Sequence, residues 1–523
     1  MTSLDRRHLI AGLAALGLTP AVPGLAQTGG LKFGPVRPFS FESLAARAKK
    51  LAASAYQAVE PPAKAIIQSV DFDKVQKIRF RPEVALWRGV PGAADPIAFF
   101  HLSKYSGDPV DIFALQTGAN GKQMAREILY SSDYFDYGSS GLDPKALAKL
   151  GFAGFRAMEN QTSPTDWLAF QGASYFRSAG QDGQYGASAR GIAVNTALQT
   201  VEEFPRFSQF WLQENGSLVT IYALLEGQSV TGAYKFDCVK NMAQGGAVVM
   251  NVHCDLFFRA DITRLGIAPL TSMYWYGENE RNKAADWRPE IHDSDGLALW
   301  NGKGERIWRP LIDPPGLQTN FFVDTNPKGF GLMQRDRDFE DYQDDGAFYN
   351  RRPGIWVEPK GNWGAGAVQL VEIPTDDETH DNIVAYWRPD QEIKSGDTLS
   401  FDYRLYWQDG EPNYPKTLAR AIATRIGRGG IPGQPPPANK RKFVIDWQGG
   451  PLDQLQQRYD VTPVINVSNG KADGAYVIKV VGTNRWRALF DITVEGKGAI
   501  DLRCFLKLGD KTLTETWIYQ FFP

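Results

Sequence analysis

Ala247-Val248-Val249-Met250-Asn251-Val252-His253-Cys254-Asp255-Leu256-Phe257-Phe258 decides the fold class. The stretch is rich in β-branched and aromatic residues, and Asn251, His253 and Asp255 alternate with apolar neighbours. A period of two places the apolar set on one face of an extended strand. Leu218–Leu225, Tyr476–Val481 and Ala488–Val494 read the same way. Helical signals are few. Phe41–Val59 carries Leu44, Ala48, Leu51 and Ala55 on one stripe behind a Ser40 N-cap. Asp143-Pro144 opens a second short helix that Gly151 closes. Strands are not interleaved regularly with long amphipathic helices, which argues against a parallel α/β sheet. The chain therefore reads as all-β, most simply as sandwiches.

The 523 residues are enough for more than one domain. A boundary falls where the strand Phe401–Trp407 gives way to the turn-rich Gln408–Lys416. Leu418–Ile426 reads as a strand of the following domain, and Gly427–Lys440, with its Pro435-Pro436-Pro437 run, as a loop inside it. The expected layout is a leader over 1–26, a large β-sandwich over 30–407, a linker over 408–416 and a small immunoglobulin-like sandwich over 417–523. Arg6-Arg7, the short apolar run Ala11–Leu18 and Gly24-Leu25-Ala26 have the pattern of a cleavable twin-arginine signal. The run is too short to span a bilayer, so no membrane span is expected after cleavage, and the destination is the periplasm.

Formal net charge is -2, which gives no reason to expect nucleic acid or an anionic membrane surface. The 3 cysteines, Cys238, Cys254 and Cys504, lack CxxC spacing and a His cluster. Cys238 and Cys254 read either as a disulfide pair or as buried thiols.

Chemistry concentrates between Trp287 and Trp387. One end carries Arg288, His292, Asp293 and Asp295, and the other Glu372, Asp376, Asp377, Glu378, His380 and Asp381. Between them stand Trp308-Arg309-Pro310, the acidic Gln334–Tyr349 and Trp356. Aromatic faces stack on sugar rings, arginines and carboxylates bind hydroxyls, and two carboxylates can manage the protons of glycosidic cleavage. Each residue also has a plain structural reading. Asp381 can cap a turn before the strand Ile383–Trp387, and Asp293 can close an Asx turn. Trp308, Trp356 and Tyr349 can be core, while Arg288 and Arg309 can pair with nearby acids. Asp338, Asp341, Asp344 and Asp345 read as a loop over the cleft. No EF-hand spacing is present, so neither metal nor cofactor is expected.

Gly172–Arg177, Tyr185–Gly191, Glu203–Phe207, Thr231–Phe236, Pro269–Met273, Arg288–Gly296, Ile307–Pro310 and Glu372–Trp387 occur in order. Together they resemble the osmoregulated periplasmic glucan biosynthesis proteins G and D, with the twin-arginine leader leaning toward the D type. The resemblance implies a galactose-mutarotase-like β-sandwich followed by an immunoglobulin-like domain. It implies action on linear β-1,2-glucan as an inverting endo-glucanase or transglycosylase. By position in the motifs, Asp381 matches the general acid, Asp293 the general base and Tyr349 a cleft tyrosine that holds the reacting sugar and its waters. Arg288, His292, Trp308, Arg309, Trp356 and Glu378 are the expected substrate-binding residues. A different class of reading is a non-catalytic glucan-binding scaffold that assists a membrane glucan synthase. A third, a polysaccharide lyase, needs a Tyr or His base and an acidic sugar.

Overall fold

The computed structural model describes residues 30–523 except 91, 94 and 242–245. The expected leader lies outside the described residues. The chain is mostly β and is laid out in several sheets. The strand Ala247–Phe258 forms over the whole predicted stretch and lies inside a large sheet, between Val230–Asn241 and Thr398–Gln408. Val248, Met250, Val252, Cys254 and Leu256 are buried, as the alternation requires. A second large sheet runs from the edge strand Gln318–Thr325 through Ala365–Glu372, Ile383–Pro389 and Leu265–Ser272 to Ile97–His101. Aromatic side chains join the two sheets: Phe170 meets Phe236 at 5.1 Å and Phe176 meets Trp407 at 6.2 Å between ring centroids.

After Leu418 the strands Arg420–Arg428, Lys440–Gln448, Trp486–Thr493 and Lys471–Lys479 form a four-stranded sheet. Val461–Val467, Ile500–Leu508 and Thr516–Phe521 face it and share a core with Phe443, Trp447, Trp486 and Trp517. Thr516 and Trp517 also pair in parallel with Ile307 and Trp308, so the first large sheet continues into this unit. Within the segment between the two, Glu411 is buried and ion-paired to Arg335 at 2.6 Å.

Two local expectations change. The first helix covers Phe41–Ala52, stopping short of Val59. Its start is a capping box, with Ser40 Oγ accepting from Ser43 N at 3.1 Å and Ser43 Oγ accepting from Ser40 N at 3.2 Å. At its end, sheet side chains take the carbonyls: Thr231 Oγ1 donates to Ala48 O at 2.7 Å and Arg259 Nε to Leu51 O at 3.0 Å. Asp143–Gly151 folds as successive turns instead of a helix. Its bonds span three residues, from Ala146 N to Asp143 O at 3.0 Å and from Leu147 N to Pro144 O at 3.2 Å, and they bury both Leu147 and Leu150.

The three cysteines are buried free thiols. Cys238 lies opposite Met250, and Cys254 opposite Tyr234, on adjacent strands. That register separates the two by four strand positions, about 13 Å, far beyond disulfide reach.

Candidate active site

Asp293, and Asn382 next to Asp381, bond to the consecutive residues Met273 and Tyr274. Met273 O accepts from Asp293 N at 2.8 Å. Next door, Tyr274 N donates to Asn382 Oδ1 at 2.8 Å, and Asn382 Nδ2 donates to Tyr274 O at 2.8 Å and Ile373 O at 2.9 Å. Asn382 is buried, so its amide fixes the main chain on which Asp381 sits. Met273 and Tyr274 directly follow the fully buried strand Leu265–Ser272, whose last residue donates from Ser272 Oγ to Ser294 Oγ at 2.9 Å. The relative placement of the two carboxylates thus rests on core backbone.

Their surroundings differ. Burial and the nearby Asp293 charge push the Asp381 carboxyl up, against the opposing influence of Thr271, Arg177 and Arg190. Asp381 keeps a solvent-facing surface, so this is a crowded group at the protein surface and not a sealed acid. Asp293 is buried and ion-paired with Arg352. Arg352 also lies 4.1 Å over the Tyr349 ring and donates to Ala347 O at 3.2 and 3.1 Å.

From Tyr349 a polar chain continues outward. Its hydroxyl donates to Glu378 Oε2, and Glu378 takes two parallel bonds of 2.9 Å from Arg288. Arg288 also reaches Asp344 Oδ2 at 2.7 Å and Asp286 Oδ1 at 2.8 Å. Burial pushes Glu378 up, but the bonds from Arg288 and Tyr349 outweigh it and leave the carboxyl below its usual range. Burial and the Glu378 bond raise the Tyr349 hydroxyl, which stays protonated. Trp287, beside Arg288, is 70% exposed and offers an unobstructed ring face. On the other side of Asp381, Arg190 lies 5.3 Å over Tyr175 and 4.8 Å over the exposed Phe204.

The structure thus gathers Asp381, Asp293, Tyr349, Glu378 and Arg288. It puts His292 beneath them, fully buried, and places three expected binding residues elsewhere. Trp308 and Trp356 are buried in the core shared with the C-terminal strands, each packed so closely on a glycine, Gly296 or Gly329, that a Cβ there would come within 2.2 Å of the ring. Arg309 is a buried partner of Glu372 at 2.8 Å. The acidic segment expected as a loop over the cleft is largely anchored: Tyr342 is fully buried, and Asp344 Oδ1 accepts from Gly346 N at 2.8 Å and Ala347 N at 2.6 Å. Asp341 and Asp345 are less enclosed.

Arg352, Asp344, Asn382, Tyr175, Arg177 and Arg190 were missed as site residues. Tyr175, Arg177 and Arg190 stood inside quoted motifs, and Asn382 adjoined one of the predicted acids. Arg352 carried no signal of its own, because Arg351-Arg352-Pro353 reads as ordinary surface charge. A cavity of about 960 Å³ lies apart from these carboxylates, between Lys283, Asp313 and the C-terminal strands.

Fold and candidate site together define a mostly β protein that gathers carboxylates, guanidinium groups and a tyrosine, groups suited to sugar hydroxyls. The chain belongs to the family described as periplasmic glucan biosynthesis protein, MdoG, which matches residues 39–521. It is a periplasmic protein of glucan biosynthesis. It is 46% identical to glucans biosynthesis protein D 2 of Ralstonia nicotianae, over 99% of this chain and 98% of that one. It is 44% identical to glucans biosynthesis protein D of Stenotrophomonas maltophilia (99% and 97% covered) and 45% identical to that of Xanthomonas campestris pv. campestris (99% and 98%). Among solved structures, a polysaccharide lyase aligns over 70% of this chain and 44% of its own, with a TM-score of 0.24 and 11% identity. No helix among the described residues is long and apolar enough to cross a membrane.

Proposed function

We propose that this protein cleaves or transfers linear β-1,2-glucan as an inverting endo-glucanase or transglycosylase. The observation that carries the reading is the anchoring of Asp293, and of Asn382 beside Asp381, on the adjacent residues Met273 and Tyr274, with the two carboxylates close enough for the Asp293 charge to raise Asp381. Two carboxylates held close together, one of them raised by burial and by the charge of the other, suit an acid–base pair. Asp381, with its raised carboxyl, protonates the departing glycosidic oxygen. Asp293, as the carboxylate, takes the proton of the attacking water or sugar hydroxyl, directly or through bridging water. Tyr349 stays protonated and orients a hydroxyl or water between them, while Glu378 and Arg288 hold the sugar. The division into a mutarotase-like sandwich and an immunoglobulin-like domain joined over 408–416 is part of the same proposal.

The test is Asp381→Asn, which keeps the shape and removes the transferable proton. Turnover of purified protein on linear β-1,2-glucan should fall by about 10²–10⁴-fold with glucan affinity retained. Wild-type turnover in the variant would exclude the acid role. A wild-type protein that binds the glucan but releases no reducing ends would instead be the scaffold that assists a synthase.

A further inference from the structure

Beneath the cleft lies a second cluster that the proposed chemistry does not use. Glu290 and His292 are buried and Asp336 is half-buried, and one donor atom from each lies within 4.8 Å of the others. Glu278, Asp295 and Asp341 surround them. Among the described residues no Lys or Arg side chain pairs with any of these five carboxylates. The neighbouring Arg335 is taken up by Glu515 and Glu411, and Arg425 by Asp446. Arg335 and Arg425 act on Asp295, Glu290 and Asp341 only from a distance, and burying this much negative charge with no directly paired cation is costly, so protons or a cation must offset it.

The hydrogen bonds decide between the two. Gln334 Nε2 donates to two carbonyls, His292 O at 2.9 Å and Tyr349 O at 3.2 Å, which fixes the amide orientation. Gln334 Oε1 therefore faces His292 Nδ1 at 2.9 Å, so Nδ1 carries the hydrogen. Nε2, the other ring nitrogen, faces Glu290 Oε2 at 3.0 Å. A proton between them would satisfy this contact alone. The carboxylate of Asp336 would remain without a partner, since no hydrogen bond from the described residues reaches it.

We propose that Glu290, His292 and Asp336 bind one divalent cation of the Zn²⁺ or Mn²⁺ class. A single ion satisfies all three groups. Two ligand atoms about 2.1 Å from a common ion at a right angle stand about 3.0 Å apart, which matches the Nε2–Oε2 separation. One imidazole and two carboxylates are a donor set for these metals. Gln334, gripping Nδ1, is the outer partner that metal-bound histidines require. The ion would tie the strand end that carries Asp293 to the segment leading to Tyr349. Its role is structural, and it takes no part in the reaction.

Tag-free full-length protein should retain close to one equivalent of Zn²⁺ or Mn²⁺ through dialysis, read by elemental analysis. After chelator stripping, returning either ion at a hundredfold excess over Kd should raise Tm by about 2–3 °C. In Asp336→Asn both the bound equivalent and the rise should disappear. Three results would each overturn the site: no stoichiometric metal together with an unchanged Tm in stripped wild type, an Asp336→Asn variant that keeps the metal, or one that keeps the thermal response. Should that variant fail to fold, the two wild-type measurements decide alone.

Discussion

Arg335 offers a quantitative test of how the C-terminal strands are held to the rest of the molecule. Its guanidinium lies 3.6 Å over the ring of Trp308. It donates to Glu515 Oε1 at 2.5 Å and Oε2 at 3.1 Å, to Glu411 Oε1 at 2.6 Å and to Ala421 O at 2.8 Å. The side chains of Glu515 and Glu411 are 0% and 3% exposed, so neither carboxylate can turn to water. Arg335→Met keeps an apolar side chain of similar reach but removes the charge and its stacking on Trp308. Glu411 retains weaker contacts with Arg306 at 3.8 Å and Arg420 at 3.9 Å. Glu515 is left with neutral donors, Tyr414 Oη at 3.0 Å and Ala421 N at 2.8 Å. Breaking a buried pair on one side costs about 3–5 kcal/mol, mostly because the orphaned charge stays buried. The loss should be read from urea unfolding followed by tryptophan fluorescence, since Trp308 and Trp517 lie in the shared core. Adding Glu515→Gln removes that charge and should return much of the loss, giving a coupling of about 1–3 kcal/mol. A single-variant loss below about 1 kcal/mol, with no coupling, would refute the claim that this network locks the units together.

Further outcomes follow from the same physics. Burial pushes Glu280 up to about 7 despite its Lys283 partner at 2.7 Å, so the folded state holds a proton that the unfolded state loses near 4.5. Stability should therefore fall as pH rises from about 4.5 through 7, by at most about 3 kcal/mol from this group, and Glu280→Gln should show a flatter profile in parallel melts. Asn382→Ala leaves Tyr274 N, Tyr274 O and Ile373 O without partners, at about 1–3 kcal/mol each where they stay buried. Turnover should drop with it because Asp381 loses its anchor, and unchanged Tm and turnover would dismiss the clamp. Trp287→Ala should weaken glucan binding by about 1 kcal/mol or more while Tm stays put, since the ring is 70% exposed; titration calorimetry that shows equal affinity would remove it from the cleft.

Local pattern was enough to place much of the β framework. Alternation over 247–258 marked a strand end to end because one of its faces is buried along its whole length, and side-chain period reports that directly. The motif stretches likewise marked the family, which the match over 39–521 shows. Where an element stops is a different matter. The helical stripe reaches past Ala52, yet Thr231 and Arg259, 183 and 208 residues from the carbonyls they capture, end the helix. The same limit applied to the site. A tryptophan in a Trp-Arg-Pro word looks alike whether it faces a cleft or a core, and only sheet packing sent Trp308 inward and left Trp287 outside. Asp293 and Arg352 stand 59 residues apart, and Arg288 and Glu378 stand 90 apart. Pairings at such separations are set by how strands from distant segments lie side by side, so the chain displays its acids and arginines one by one and only the tertiary structure pairs them.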